Sequence, residues 1–246
     1  MSAGRFVWRE LVSPHIATDF YTQLFGWTAK EVDMGGMAYT LFHDPTLGED
    51  VAGAMKPMME GVPPHWFCYV TVTDLEAAKA AILAQGGAVL TPTMAAEGVG
   101  TWFVAQDRAG ATFAPFIGAQ PGSTPDRRPP LGTFCWSELM TNDLDRAVPF
   151  YTAVFGWSAA PMGPVTVLST GEVQRASVHP YPPGTTGMPD QWLNYVAVAD
   201  TDAAFAKAVA LGARVIVPPS DMGEMGRFAV ITDPGGAGLA LWQAKQ

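Results

Sequence analysis

Two short segments of the chain place a carboxylate two residues after a tryptophan. They contain Trp8 and Glu10 near the start of the 246-residue sequence, and Trp136 and Glu138 in its second half. Both segments read as β-strands, in which alternate side chains share a face, so each pair is expected on one face of its strand. A carboxylate beside an indole in a partly dry site has a raised pKa and can act as a general base or accept a ligand hydrogen bond. The alternative is structural, with each carboxylate paired to a backbone amide or an arginine.

Further candidate ligand contacts alternate along later strands in the same way. They are His65, Phe67, Tyr69 and Phe116 in the first half, and Gln191, Leu193, Tyr195 and Trp242 in the second half. For the large aromatic side chains, burial in the core and contact with a ligand are both open. His65 is a further catalytic candidate beside the two glutamates, although glutamine replaces it in the second half and its place after two prolines favours a structural or rim role.

An internal repeat explains why the candidates occur in pairs. The segment Phe-Tyr-Thr-Gln-Leu-Phe-Gly-Trp over residues 20–27 returns as Phe-Tyr-Thr-Ala-Val-Phe-Gly-Trp over 150–157. Residues 6–11, 65–74 and 100–116 are likewise echoed by 134–139, 191–200 and 226–242. Self-similarity of this kind predicts that the two halves share one fold.

Apolar periodicity predicts the same order of elements twice in each half. In the first half the predicted strands are 6–12, 28–33, 38–43, 51–56, 66–72, 88–91, 101–106 and 112–117, with one helix ending at Gly26 and another running from Asp74 to Ala84. The second half repeats this order, with Asp200 as a helix cap. The result is an α+β fold of four βαβββ units, in which the strands of each half can curl into a cup with the helices outside.

The two halves are expected to be separate modules. Residues 119–131 are rich in proline, glycine and charge and have no apolar period, which is typical of a linker. The predicted modules therefore span 1–118 and 132–246. We expect them to pack on each other, in a monomer or a homodimer.

Composition narrows the class of partner. Hydrophobic residues make up 48% of the chain and charged residues 15%, as in a globular protein. The formal net charge of −9 disfavours nucleic acid and anionic membranes. With no membrane-spanning apolar run and no secretory signal pattern, a cytoplasmic location is expected. The two cysteines, Cys68 and Cys135, are then expected to be reduced.

The repeated motifs resemble those of the vicinal oxygen chelate superfamily, which groups glyoxalases, bleomycin resistance proteins and extradiol dioxygenases. The resemblance rests on the Phe-Tyr-x-x-x-Phe-Gly-Trp segments, on the strands that end at Asp74 and Asp200, and on the turn at residues 233–236, Asp-Pro-Gly-Gly. It covers almost the whole chain and implies two glyoxalase-like cups in tandem. The superfamily hosts lyases, epimerases, ring-cleaving oxygenases and drug-sequestering proteins, so the fold does not fix a function.

The resemblance also implies where a metal would bind, on the first, fifth and last strands of a module. In this chain those positions hold Trp8, Phe67 and Ala114 in the first half and Trp136, Leu193 and Ala240 in the second. First-row divalent metals take imidazole and carboxylate ligands, which none of these side chains offers. We therefore expect no metal site of the usual kind and no cofactor.

The sequence leaves three interpretations. The leading one is metal-free binding of a small, partly aromatic or apolar molecule in one or both cups. The alternative is a divalent-metal-dependent lyase or dioxygenase with an unusual site built from Glu10 and His65, or from Glu138 and Gln191. The third is an interaction protein whose modules only pack on each other.

One residue distinguishes the two halves. Pro115 lies in the last predicted strand of the first half, where an amide is normally needed. That strand is therefore expected to be an edge strand or to be distorted, and the second half to bind ligand more tightly.

Overall fold

A computed structural model of the protein describes residues 3–120, 129–181 and 189–245, so that residues 121–128 of the expected linker lie outside the described residues. Contacts divide the chain into two compact units. Unit 1 comprises Met1–Val7, Phe67–Asp126 and Ser137–Trp192, and unit 2 comprises Trp8–Trp66, Arg127–Trp136 and Leu193–Gln246. Each unit thus combines one βαβββ repeat from the first half of the sequence with one from the second half.

The described elements follow the predicted order, except that the strand predicted at 101–106 is two short strands and that one short strand before it was not predicted. In the first half they are β1 (Phe6–Val12), α1 (Thr18–Phe25), β2 (Thr28–Asp33), β3 (Ala38–Asp44), β4 (Glu49–Met55), β5 (His65–Thr71), α2 (Leu75–Ala84), β6 (Ala88–Val89), β7 (Met94–Ala96), β8 (Gly100–Trp102), β9 (Ala105–Gln106) and β10 (Thr112–Gly118). In the second half they are β11 (Phe134–Thr141), α3 (Leu144–Phe155), β12 (Ser158–Met162), β13 (Val165–Thr170), β14 (Val173–Pro180), β15 (Gln191–Ala197), α4 (Thr201–Ala210), β16 (Arg214–Asp221), β17 (Gly226–Thr232) and β18 (Gly238–Ala244).

Local chemistry accounts for the ends of the helices. Gly26 and Gly156 close α1 and α3 in the left-handed conformation, with φ of 78° and 68°, which a residue without a Cβ adopts readily. Asp74 and Asp200 begin α2 and α4, where their carboxylates accept hydrogen bonds from backbone N–H groups of the first turn. These predicted boundaries are confirmed.

Each βαβββ repeat forms a mixed ladder in which its first strand pairs in parallel with its last. The four parallel pairs are β1 with β4, β5 with β10, β11 with β14, and β15 with β18. Antiparallel neighbours complete the orders β2-β3-β4-β1 and β15-β18-β17-β16 in unit 2, and β5-β10-β8-β7 and β12-β13-β14-β11 in unit 1. The predicted α+β fold of four βαβββ units is confirmed.

Of the two alternatives expected at Pro115, an edge strand or a distorted one, the edge strand is wrong. Strand β10 has a partner on both sides, β5 on one and β8 with β9 on the other. On the antiparallel side, β9 pairs with residues 112–113 and β8 with 116–118, which leaves a break at the proline. The Phe116 carbonyl accepts the Val72 N–H on the parallel side. Because backbone groups alternate in direction, the proline faces the break and removes no ladder bond.

Each unit has its own large hydrophobic core. The core of unit 1 is built around Phe113, Phe150, Tyr151, Phe155 and Trp192. The core of unit 2 is built around Phe20, Tyr21, Trp27, Phe42 and Trp66. The repeated Phe-Tyr segments therefore place equivalent aromatic side chains at the centre of both units.

A buried hydrogen-bond chain crosses each core. In unit 2 the Trp66 indole donates to the Tyr21 hydroxyl (3.1 Å), which donates to Asp233 (2.7 Å). In unit 1 Trp192 donates to Tyr151 (3.2 Å), which donates to Asp107 (3.0 Å). We call these the two Trp–Tyr–Asp chains. In each chain the tyrosine of the Phe-Tyr segment links the tryptophan of β5 or β15 to an aspartate in a turn.

Burial dominates the electrostatics of these chains. It raises the pKa of Asp233 and of Asp107, and hydrogen bonds from the tyrosine and from backbone N–H groups of the turn oppose this in part. Burial raises the pKa of Tyr21 and Tyr151 as well, and the charge of the neighbouring aspartate adds to the effect. The tyrosines therefore stay neutral and act as donors.

Candidate ligand-binding site

The first-strand carboxylate of the first half ends a hydrogen-bond chain that the sequence did not reveal. The Trp8 indole donates to the Tyr39 hydroxyl (3.0 Å), and the Tyr39 hydroxyl donates to Glu10 Oε2 (2.7 Å). Trp8 and Glu10 alternate on β1, as predicted, and Tyr39 reaches them from β3. Glu10 is only 5% exposed, whereas Trp8 and Tyr39 are half-buried. The two aromatic side chains therefore cover the carboxylate.

Gly53 makes room for this chain. It lies opposite Glu10 in the β1–β4 ladder and opposite Leu41 in the β3–β4 ladder. A Cβ at this position would overlap the hydroxyl and ring of Tyr39. A glycine inside a strand usually costs about 0.5–1 kcal/mol relative to alanine, so its presence here is explained by space for the tyrosine.

The environment keeps Tyr39 protonated. Burial raises its pKa well above the usual range, and the charge of Glu10 adds to the effect, while the hydrogen bond from Trp8 acts in the opposite direction. The Tyr39 hydroxyl therefore keeps its proton and donates it in the hydrogen bond to Glu10.

The second half surrounds its equivalent carboxylate differently. Glu138 lies opposite Ser177, and Ser177 Oγ donates to Glu138 Oε1 (2.8 Å). Ser177 thus takes the place of the glycine. Because Val167 also faces Ser177, just as Leu41 faces the glycine, the residue equivalent to Tyr39 is Val165. Glu138 is half-buried.

Four side chains of unit 1 form what we call the first aromatic cluster: Phe67, Tyr69, Trp102 and Phe116. The Tyr69 ring centroid lies 5.4 Å from that of Phe67, 6.1 Å from Trp102 and 6.0 Å from Phe116. Ladder register explains the grouping, since Phe116 lies opposite Trp102 and Ala114 opposite Tyr69.

The equivalent positions of unit 2 form the second aromatic cluster: Trp136, Leu193, Tyr195, Phe228 and Trp242. Tyr195 is buried with Val230 and Ala240, and the other members are partly exposed against them. Phe228 lies opposite Trp242, and Ala240 opposite Tyr195. This cluster is separate from the large core of its unit. Its aromatic side chains are therefore not explained by the packing of that core.

Two predicted candidates have structural partners. His65 is half-buried, its Nδ1 lies 2.8 Å from the Pro63 carbonyl oxygen, and burial lowers its pKa. Gln191 donates to the Tyr181 hydroxyl (2.9 Å). These contacts are compatible with the rim role considered for His65, and they give Gln191 a comparable one.

Comparison with known proteins assigns the family. Residues 14–114 and 133–241 each match the sequence profile of the glyoxalase/bleomycin resistance protein/dioxygenase superfamily. The chain belongs to this superfamily. The resemblance drawn from the repeated motifs is therefore confirmed, and with it the presence of two glyoxalase-like modules.

Relatives of this superfamily member carry different names. It is 35% identical over 233 residues to "Putative glyoxylase CFP32" of Mycobacterium bovis, which covers 90% of this chain and 87% of the relative. It is 33% identical over 266 residues to "Anthracycline biosynthesis protein DnrV" of Streptomyces peucetius, covering 99% of this chain and 94% of the relative.

Solved structures agree on the fold. The Mn(II)-bound glyoxalase from Novosphingobium aromaticivorans aligns with a TM-score of 0.65 at 13% identity, over 98% of this chain and 82% of that protein. The 2,3-dioxygenase LapB from Pseudomonas sp. KL28 aligns with a TM-score of 0.66 at 14% identity, over 100% of this chain and 94% of that protein.

The residues at the family's metal positions do not fit a divalent cation. Phe67, Trp136 and Leu193 contribute to aromatic and apolar surfaces, the Trp8 indole donates to Tyr39, and the two alanines are small residues opposite tyrosines. Within residues 3–120, 129–181 and 189–245, no group of three or more His, Cys, Asp or Glu side chains is placed to hold a metal ion. We derive no metal-dependent step for this chain.

The cysteines and helices add little to the site. Cys68 Sγ lies 3.8 Å from Ser137 Oγ, and Cys135 donates to the Tyr195 carbonyl (3.4 Å). Neither forms a disulfide, and burial raises the pKa of Cys135 to about 12, so its thiol is a poor nucleophile. No helix in the part of the chain that the structure describes has the length and hydrophobicity needed to span a bilayer.

Sequence reasoning missed Tyr39, Gly53 and Ser177. The repeat could not have revealed Tyr39, because its counterpart is a valine. The available signal was the glycine among the apolar residues that end β4, because a glycine inside a strand often marks a close approach by another group.

Proposed function

We propose that this protein binds a small, planar, partly aromatic molecule on one or both aromatic clusters, without a metal ion. The observation that carries the proposal is the second aromatic cluster, whose partly exposed tryptophans and phenylalanine form a surface apart from the core of unit 2. Ligand sites are typically lined by apolar and aromatic side chains with a few polar groups that fix orientation.

The energetics favour a flat apolar ligand. Covering aromatic surface yields about 25 cal/mol per Å² removed from water, and stacked or edge-to-face ring pairs add about 0.5–1.5 kcal/mol. The first aromatic cluster already contains such pairs around Tyr69. A planar ligand would extend them.

The names of the relatives guide the choice of probe. Two Streptomyces relatives are named as anthracycline biosynthesis proteins, and anthracyclines are polycyclic aromatic compounds. An anthraquinone is therefore a suitable first probe, both for its flat ring system and because it quenches indole emission.

The test is a titration of the purified protein with 2-hydroxyanthraquinone, followed by tryptophan fluorescence and calorimetry after dialysis against a chelator. We expect saturable binding and a raised melting temperature, because a ligand that binds only the folded state stabilises it. Trp242→Ala should weaken binding to the second aromatic cluster at least tenfold. Met58→Ala, at an exposed position, is the matched control and should leave binding unchanged. Unchanged affinity in Trp242→Ala and in the equivalent first-half variant Phe116→Ala would refute the proposal.

The competing interpretation, a metal-dependent lyase or dioxygenase, predicts a stoichiometric metal and turnover, whereas metal-free binding predicts neither. We expect less than one equivalent of Zn, Ni, Fe or Mn in the purified protein, and background rates with the glutathione–methylglyoxal adduct and with catechol. A stoichiometric metal that is lost in Glu10→Ala or His65→Ala, together with chelator-sensitive turnover, would favour the enzyme.

A further inference from the structure

Three methionines of unit 2 lie at the end of the sheet where β2 turns into β3. Met34 and Met37 flank that turn, and Met55 is the last residue of β4. We call them the methionine group. Neither the aromatic clusters nor the Trp–Tyr–Asp chains use any of the three.

A tight turn brings Met34 and Met37 side by side. The Met34 N–H donates to the Met37 carbonyl (2.9 Å). Gly35 and Gly36, which lie between them, have φ of 70° and 92°, as a two-residue hairpin turn with positive φ at both positions requires. The Asp33 carboxylate accepts the Gly36 N–H (2.6 Å) and stabilises the turn. Residues directly opposite each other in an antiparallel pair have Cβ atoms about 4.5–5.5 Å apart.

Ladder register places Met55 on the same face of the sheet. Tyr39 lies opposite Val32 on β2 and opposite Met55 on β4. Because side chains alternate along a strand, Met37 shares a face with Tyr39, and Met34 shares it with Val32. Met55 is then a diagonal neighbour of Met37, at about 7–8 Å. All three methionine side chains therefore leave the sheet on one side.

Core packing does not explain the methionine group. Met34 is 39% exposed and Met37 is 44% exposed, and Met55 is half-buried. None of the three is part of the large core of unit 2. The two turn methionines can therefore be reached from solvent.

The ligand chemistry of methionine is specific. Thioether sulfur is a soft, neutral ligand, and soft ligands of this kind suit Cu(I). The sulfur lies two bonds beyond Cβ on an unbranched side chain with three rotatable bonds. Sulfurs whose Cβ atoms start about 5–8 Å apart can therefore turn toward one ion. The formal net charge of −9 favours the approach of a cation.

We propose that Met34, Met37 and Met55 form a binding site for a soft monovalent cation, Cu(I) or its redox-stable analogue Ag(I). The site takes no part in the proposed aromatic binding. It also differs in kind from the family's metal positions, because those use imidazole and carboxylate ligands for divalent ions.

A second methionine pair of unit 2 provides the matched control. Met222 and Met225 have the same sequence spacing in the turn between β16 and β17, and they are 37% and 49% exposed. Their geometry differs, since the Met222 N–H donates to the Gly226 carbonyl (2.8 Å) and Met225 lies within the turn. Strands β16, β17 and β18 contain no methionine that could supply a third sulfur.

The test is NMR of the full-length protein labelled with ¹³C in the methionine methyl groups, titrated with silver nitrate in a chloride-free buffer. Met→Leu variants assign the signals. We expect the methyl signals of Met34, Met37 and Met55 to shift together with one dissociation constant. Because each signal reports on its own thioether, silver bound at the thiols of Cys68 or Cys135 is not mistaken for this site.

Variants and pH sharpen the test. Met37→Leu keeps the size of an exposed side chain and removes its sulfur, so it should weaken the silver response of the other two methyl groups at least tenfold. Met34→Leu should do the same, whereas Met225→Leu should leave the response unchanged. Thioethers do not titrate, so the dissociation constant should change less than twofold between pH 5 and pH 8. A site held by histidine or carboxylates would weaken at pH 5.

Three results would overturn the site. One is the absence of a shift in the three methyl signals with excess silver. Another is an unchanged response in both Met37→Leu and Met34→Leu. The third is an equal dissociation constant at Met222 and Met225, which would show that sequence spacing alone is enough. None of these results bears on aromatic binding, which the anthraquinone titration tests separately.

Discussion

Glu10 and Glu138 occupy equivalent places on β1 and β11 but have different surroundings. Glu10 accepts a hydrogen bond from Tyr39 and is almost fully covered, whereas Glu138 accepts one from Ser177 and remains half-buried. The exchange of a glycine–tyrosine pair for a serine–valine pair accounts for the contrast.

The cores of the two units show no such contrast. Tyr21 with Asp233 and Tyr151 with Asp107 repeat the same connection at similar distances. The two halves therefore share the core residues that hold the strands together, whereas the residues on their strand faces differ. We therefore expect the two halves to respond alike to changes in the core and differently to changes on the strand faces.

The largest expected effect tests the likeness of the cores. Tyr21→Phe and Tyr151→Phe each remove the hydroxyl that a buried aspartate accepts from, and they also leave an indole N–H without its acceptor. Each should lower the free energy of unfolding by about 2–3 kcal/mol, because buried polar groups are left unsatisfied. Chemical denaturation of both variants would measure this. A difference of more than about 1 kcal/mol between them would show that the two chains are not equivalent.

The next effect tests the contrast between Gly53 and Ser177. Gly53→Ala places a methyl group against the Tyr39 hydroxyl and ring, and overpacking should cost about 1–2 kcal/mol of stability. Ser177→Ala removes one hydrogen bond from a half-buried carboxylate and should cost less than about 1 kcal/mol. Thermal and urea denaturation of the pair would rank them. A reversed order would mean that Tyr39 does not need the space.

A smaller effect concerns ligand affinity. Glu138→Gln should weaken binding of 2-hydroxyanthraquinone in unit 1 about threefold, because this carboxylate is half-buried and therefore more exposed than that of Glu10. Glu10→Gln, at the almost fully covered position, should change the affinity for the same probe less. Equal losses in both variants would contradict the difference in exposure.

The smallest effect is a pH dependence shared by both units. Burial raises the pKa of Asp107 and Asp233 above the value of about 3.9 expected in the unfolded chain. Between that value and the raised one the folded protein binds more protons, so these groups make stability fall as pH rises through the window. Urea denaturation between pH 4 and 7 should show this slope reduced in Asp233→Asn. The same slope in variant and unmodified protein would argue against the raised pKa.

Much of the fold could be predicted from the sequence, because its signals are local. The caps at Asp74 and Asp200 and the helix end at Gly26 depend on a few adjacent residues, and the repeat supplied each prediction twice. The short strand β7 was not predicted, since three residues carry no clear period. The edge-strand prediction at Pro115 was wrong because the sequence of one strand does not show where the neighbouring strands end.

The site was less predictable for a different reason. Alternation placed Trp8 beside Glu10, but the hydroxyl that joins them comes from β3, about thirty residues away. A contact of this kind depends on ladder register, which one sequence does not specify. The likeness of the two halves also concealed it, because repeat comparison favours what both halves share. The roles assigned to His65, Phe67, Tyr69 and the other candidates therefore stay predictions.

The most direct test of aromatic binding without metal is crystallography of the protein with a brominated anthraquinone, using anomalous scattering from bromine and from transition metals. We expect a bromine peak within about 4 Å of the first or the second aromatic cluster, and no transition-metal peak beside Glu10 or Glu138. Bromine bound only at other surfaces, or a metal ion held by either glutamate, would contradict the account.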